Sequence, residues 1–93
     1  MTIRSFRCTD TQSLYDGKKP RRFRNIEAGA QRKLQMLDDA EELRDLGSPP
    51  GNRLEALSGN RVGQHSIRVN DQWRMCFVWT AAEPESIEIV DYH

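Results

Sequence analysis

Asp91, Tyr92 and His93 put a carboxylate, a phenol and an imidazole in three successive positions. Imidazole titrates near neutrality, and a neighbouring carboxylate favours its cation. On an extended chain Asp91 and His93 point one way and Tyr92 the other. A chain that curls lets all three reach one point. Such a set can move protons at a phosphate; the plainer alternative is a loose polar end.

A second source of chemistry is a pair of arginines. Residues 64–70 (QHSIRVN) and 73–80 (WRMCFVWT) alternate and are rich in β-branched and aromatic residues, so both are expected to be strands. A two-residue turn would set Arg68 against Trp73 and mix polar with apolar faces. A three-residue turn, Asn70-Asp71-Gln72, sets Val69 against Trp73, Ile67 against Met75 and Arg68 against Arg74. Register follows the buried face, which favours the second. Like charges directly opposite are unfavourable, so the pair either faces an anion or splays into solvent. Behind them, His65, Ile67, Val69, Trp73, Met75, Phe77 and Trp79 form the apolar face, with His65 expected to be a hydrogen-bonded core residue. Cys76 is expected to be a small buried filler.

Other elements must hold these strands. Residues 2–7 suit an opening strand. Thr9-Asp10-Thr11 can cap a short helix carrying Leu14 and Tyr15 and ending at Gly17. Over residues 25–46, Ile26, Ala30, Leu34, Leu37, Ala40, Leu43 and Leu46 recur at spacings of three and four, which predicts one amphipathic helix. Gly47 and Pro49-Pro50 stop it. Residues 48–63 read as a long loop with one apolar clip, Leu54 and Leu57, and loops of that length are usually functional or disordered. Residues 86–91 (SIEIVD) give a last strand.

Ninety-three residues make one domain, residues 1–93. Mean hydropathy is −0.79, and the longest strongly apolar run, Met75–Trp79, is far short of the ~20 residues that span a bilayer. No membrane association is expected. The first eight residues carry no apolar signal region, so export is not expected and the cytoplasm is the default. Two cysteines cannot make a disulfide scaffold, and no Cys/His spacing suggests a metal. Neither metal nor cofactor is expected. Net charge is zero, yet residues 1–24 hold seven basic groups against Asp10 and Asp16. Five of the seven, Lys18, Lys19, Arg21, Arg22 and Arg24, crowd around Pro20. Dense like charge without an apolar period predicts a mobile connector able to meet a polyanion or an acidic protein surface.

The stretch LEALSGNRVGQHSIRVNDQWRMCFVW, followed by IEIVDYH, resembles the HigB toxins of the RelE/ParE superfamily. Leu57, Gly59, Arg61 and Gly63, then SIRVN, QWR and DYH, carry the likeness, and IRSF and RKLQMLDDA suit it. The resemblance implies an α+β fold with two N-terminal helices on one face of a small antiparallel sheet. It implies cleavage of messenger RNA on the translating ribosome without a metal. It also implies a HigA-like antitoxin with a helix-turn-helix, which neutralises the toxin and brings it to operator DNA.

Carried over by position, Arg74 corresponds to the arginine at the scissile phosphate, and Asp91, Tyr92 and His93 to the terminal catalytic set. Some HigB toxins have a histidine at the position of Glu55 and a lysine near Ser58. Here Glu55 is either a carboxylate base or a solvated loop residue. Arg68, Arg61, Asn60 and Arg53, with Lys18, Lys19, Arg21, Arg22 and Arg24, are expected to bind RNA or the ribosome. Relief of the like-charge contact predicts that Arg74→Ala leaves stability unchanged or higher. Two other functions share the fold: ParE-like inhibition of DNA gyrase, and a binding module that acts only in operon repression. The DYH end and the arginine pair favour the nuclease.

Overall fold

Period-two alternation from His65 onward builds an antiparallel meander of β2 (His65–Arg68), β3 (Trp73–Thr80) and β4 (Glu83–Asp91). A short β1 (Glu55–Ala56) adds to the free side of β2, giving the order β1-β2-β3-β4. The computed structural model describes residues 3–80 and 83–91, so Tyr92 and His93 lie outside the described residues. The β2–β3 register is the expected one: Ile67 stands opposite Met75 and Arg68 opposite Arg74. The Asn70 side chain sets it locally. Its Oδ1 accepts from the backbone N–H of Gln72 and of Trp73, each at 2.8 Å. Val69 N then donates to Trp73 O at 2.9 Å, closing the turn.

One sheet face carries Ile67, Met75, Phe77, Ile87 and Ile89, all buried. Two helices pack on that face, α1 (Thr9–Tyr15) with Leu14 and α2 (Glu27–Asp39) with Ala30, Leu34 and Leu37, and Phe23, Ile26, Ala40 and Leu46 complete the core from the segments beside α2. Each large apolar side chain taken from water contributes about 1.5–3 kcal/mol. This is the α+β arrangement of two helices and an antiparallel sheet that the resemblance implied. No described helix is long and apolar enough to cross a membrane.

The predicted helix over 25–46 is in fact two pieces. α2 ends at Asp39 because Ala40 turns extended (φ −67°, ψ 134°). Asp38 and Asp39 put negative charge at a helix C-terminus, which the helix dipole disfavours. A new 3-10 helix, Leu43–Leu46, starts behind a reciprocal cap between Glu42 and Asp45. The three-and-four spacing continues through the break because Leu43 and Leu46 still face the core, so periodicity alone does not reveal it.

The basic segment is not an unanchored connector. Arg21–Ile26 form a 3-10 helix, and Phe23 within it is fully buried. Its ring meets Trp73 edge-on, centroids 5.5 Å apart. One aromatic residue among five cations ties the segment down. The expected opening strand reduces to one parallel bridge, Phe6 to Ile87, along the outer edge of β4. Beyond it Thr11 Oγ1 accepts the Ile89 N–H at 3.1 Å, satisfying an edge donor that would otherwise be buried and unpaired. β4 begins earlier than expected, at Glu83, and takes a bulge opposite Phe77 with Ser86 at φ 54°. The 48–63 loop holds 3-10 turns at Pro50–Asn52 and Gly59–Arg61 on either side of β1.

Candidate active site

The sheet face away from the helices gathers polar side chains. Glu55 of β1 pairs with Ser66 of β2, Ser66 with Cys76 of β3 and Cys76 with Glu88 of β4. The next row joins Arg68, Arg74 and Val90. Arg74 is the centre of this face and only 9% exposed. Its Nε donates to Ser66 Oγ at 2.8 Å. Its Nη2 donates to Arg53 O at 2.7 Å and lies 3.3 Å from Glu55 Oε1. A guanidinium fixed at several points is preorganised; a flexible one would have to be ordered when it met an anion.

Those contacts reverse the expectation for stability. Removing Arg74 strands the buried Ser66 hydroxyl and the Arg53 carbonyl, at a cost of about 2–4 kcal/mol. Relief of repulsion from Arg68 does not compensate, because Arg68 has its own partner, Asp71.

Arg53 takes the left-handed conformation, φ 47°, just after the Pro50–Asn52 turn. That turn swings its carbonyl onto Arg74. The preceding residue, Asn52, is fully buried and donates from Nδ2 to Leu46 O at 2.9 Å. Its Oδ1 accepts from Lys33 Nζ of α2. Lys33 is held below the usual lysine range, first by burial and then by the nearby Arg32 and Arg68 cations. Neither Lys33 nor Asn52 was expected at the site. The signal for Lys33 lay in its spacing, three after Ala30 and four before Leu37, which sets a lysine in the apolar stripe.

The other expected residues divide. Arg61 is tied to Glu88 at 3.0 Å and to Gln64 at 3.1 Å, on the same open face. Asn60 is exposed in the adjoining turn. Asp91 pairs with Trp73, which sets it on the helix-side face at the end of the sheet, away from Arg74. Gln72 Nε2 donates to its Oδ2 at 3.0 Å. Tyr92 and His93, expected to complete that set, lie outside the described residues. Lys18, Lys19, Arg21, Arg22 and Arg24 are all exposed. Arg22 also stacks over Phe23 and Trp73, 5.2 and 5.8 Å from the ring centroids, so it is partly structural.

Cys76 sits under this face, fully buried, with its thiol pushed up by that burial, as suits a filler. His65 stacks on Phe77, centroids 6.2 Å apart, and its buried Nδ1 has no hydrogen-bond partner among the described residues, contrary to expectation. No cluster of three or more His, Cys, Asp or Glu side chains with metal-binding geometry occurs among the described residues.

Two helices backing a four-stranded antiparallel sheet are the fold that the sequence resemblance implied. A profile of the RelE-like toxin of the type II toxin–antitoxin system HigB matches residues 4–93. The chain belongs to the RelE-like HigB toxin family. Among its relatives is the Vibrio cholerae protein named Toxin HigB-1, 46% identical over 70 residues, which are 73% of this chain and 74% of that one. An uncharacterized Haemophilus influenzae protein is 39% identical over 56 residues, 60% of this chain and 55% of that one. As a HigB-like toxin of a toxin–antitoxin system, the protein has an antitoxin as partner.

Proposed function

We propose that this HigB-like toxin is a ribosome-dependent endoribonuclease that cleaves translated messenger RNA and stops growth. Its antitoxin is then HigA-like, neutralises it, and carries it to operator DNA through a helix-turn-helix. The observation that carries the reading is Arg74: a preorganised guanidinium beside the Glu55 carboxylate, opposite a second arginine, on an open face.

The reaction is attack by a ribose 2′-hydroxyl on the adjacent phosphorus. The O2′–P bond forms, the P–O5′ bond breaks, and the products are a 2′,3′-cyclic phosphate and a 5′-hydroxyl. A base must take the 2′ proton and an acid must protonate the departing O5′. Arg74 offsets the extra negative charge of the pentacoordinate phosphorus, a role whose loss generally costs about 10²–10³ in rate. Proton transfer is assigned to His93 and to Glu55, the carboxylate within reach of the Arg74 site, because Asp91 lies on the other face. Tyr92 stacks on or orients the substrate. Arg53, Asn60, Arg61 and Arg68 line the RNA path on the open face, and Lys18, Lys19, Arg21, Arg22 and Arg24 add a basic flank for the ribosome.

The test is induced expression followed by mapping of messenger 5′ ends, then the same with purified protein and RNA in the presence and absence of ribosomes. Cleavage only with ribosomes is expected. Growth arrest with intact messages and inhibited DNA gyrase would move the chain to the ParE-like activity. Operon repression without growth arrest would leave only a binding module.

A further inference from the structure

Glu88 of β4 sits between two arginines that come from distant parts of the chain. Its Oε1 accepts from Arg61 Nη1 at 3.0 Å and lies 3.9 Å from Arg7 Nε. Arg61 stands in the 3-10 turn before β2, where Gly59 and Gly63, at φ 63° and 93°, bend the chain on either side of it. The same Nη1 donates to Gln64 Oε1 at 3.1 Å, so two acceptors fix the guanidinium. Arg7 comes from outside β4. Its backbone N–H donates to Ile87 O at 2.9 Å, which sets it beside Glu88.

The three side chains meet on the open face. Glu88 pairs with Cys76, in the row next to that of Arg74 and Val90. The two rows are two residues apart along the strand, about 6.5 Å, close to the distance between successive phosphates on an RNA strand. Exposure differs across the cluster: 20% for the Glu88 side chain, 33% for Arg61 and 59% for Arg7. The carboxylate is the inner member, and the arginines are the ones an anion can reach. Pinning the 48–63 loop to the sheet needs one arginine on Glu88, not two. The second leaves these three residues with a net positive charge and sets two cations against each other, a cost that an anion in front of them would offset.

We propose that Arg61 and Arg7 form a second phosphate site on the open face, for the RNA phosphate next to the scissile one, with Glu88 as the positioning residue that holds both arginines there. The proposal rests on the RNA-cleaving reading for its choice of ligand, and its test reads binding and not cleavage. Guanidiniums already held by a carboxylate lose less freedom when they meet a phosphate.

The probes are a dinucleotide and a trinucleotide of RNA without terminal phosphates, both fully 2′-O-methylated so that no 2′ attack can occur. Each is titrated against the toxin at several salt concentrations. The dinucleotide phosphate takes the Arg74 site, and the phosphate added in the trinucleotide takes the new one. The trinucleotide should bind with a salt slope steeper by about 0.7, or about fivefold in affinity per tenfold in salt. Arg61→Gln should remove that gain and leave dinucleotide binding as it is. Arg7→Gln, at an exposed position, should weaken binding of the trinucleotide and not of the dinucleotide. Glu88→Gln takes a negative charge off the face, which by charge alone would tighten binding. As the loss of a positioning residue it should instead weaken trinucleotide binding several-fold.

Tighter trinucleotide binding in Glu88→Gln would show a carboxylate that only opposes RNA and would overturn the site. So would equal slopes for the two probes on the wild type, wild-type trinucleotide affinity in Arg7→Gln, or a wild-type protein that binds neither probe. An intact slope gain in Arg61→Gln with a lowered melting temperature would overturn it in favour of a staple for the loop. The same intact gain with impaired antitoxin binding would overturn it in favour of an acidic protein ligand. If the slopes behave as expected while the wild type cleaves no message with ribosomes, the phosphate site stands and the nuclease reading fails.

Discussion

Arg68 and Arg74 face each other directly across β2 and β3, and each is neutralised by a different carboxylate, Asp71 for the first and Glu55 for the second. The difference in burial separates their roles. Asp71 is 95% exposed, so its pairing is weak and screened by salt. Arg74 is almost enclosed and further held by Ser66 and the Arg53 carbonyl. Under the proposed RNA cleavage, Arg68 is the residue free to exchange its weak partner for a phosphate, whereas Arg74 would stay in place and the phosphate would have to come to it.

Arg74→Lys separates charge from geometry. An ammonium keeps the charge but cannot bridge Ser66, Arg53 and Glu55 at once. We expect cleavage to fall by about 10²–10³ while the protein still folds, with a melting temperature several degrees lower. Arg74→Ala should lose as much activity and more stability. Cleavage by Arg74→Lys at the wild-type rate would remove Arg74 from the chemistry.

Glu55→Gln tests the carboxylate beside it. The Glu55 side chain is half exposed, so its pair contributes little net stability and the melt should stay within about 1 kcal/mol of wild type. A loss of about 10²-fold or more in kcat, with KM held, is expected of a group that moves a proton. A change in KM alone would show that Glu55 only steadies Arg74 or meets the RNA.

The hairpin at the centre of this site was fully legible in the sequence, because alternation sets the faces and a one-residue slip would turn Arg68 onto Trp73. β3 was expected at its observed bounds for the same reason. What joins the site to the rest of the chain was not legible. Lys33 and Asn52 are 19 positions apart and meet only through the tertiary fold. The Arg53 carbonyl reaches Arg74 through a left-handed residue that is not glycine, which carries no mark in the sequence. Phe23 was hidden by composition, since five cations outweigh one aromatic ring in any local average. Asp91 was expected to join Arg74, and strand alternation counted from the register sets it on the other face instead.

The basic segment should respond in two distinct ways. Phe23→Ala opens a cavity in the core and should cost about 3–5 kcal/mol, lowering the melting temperature by about 15 °C or more. Replacing Lys18, Lys19, Arg21 and Arg24 with serine, while leaving the stacked Arg22, should hardly move the melt. It should flatten the salt dependence of ribosome binding and weaken toxicity. An unchanged ribosome slope with impaired antitoxin binding would assign the four cations to neutralisation.

Alkaline pH should loosen the fold through Tyr15. Desolvation first, then the charge and hydrogen bond of Asp38, raise its phenol above the ordinary value of 10.0. The unfolded chain therefore releases this proton first. The Tyr15 contribution is complete below pH 10.0 and is lost as pH rises through the higher folded value. Denaturant titrations of Tyr15→Phe should show a shallower fall in stability over that range, and a fall as steep as in wild type would assign the effect to other groups.

Deleting Tyr92 and His93 asks where the protons go. The last buried residue of β4 is Ile89, and the last pair with β3 is Asp91 to Trp73, so the deletion leaves the described core intact. The truncated protein should melt within about 1 kcal/mol of wild type, the range of a surface change. Its cleavage should nonetheless be abolished, since Asp91 alone lies on the face turned from Arg74 and is held by Gln72. Restoring only Tyr92 should recover substrate binding without turnover, because stacking needs the ring and proton transfer needs the imidazole. Wild-type cleavage by the truncated protein would leave Glu55, the carboxylate paired with Arg74, as the group that moves the proton.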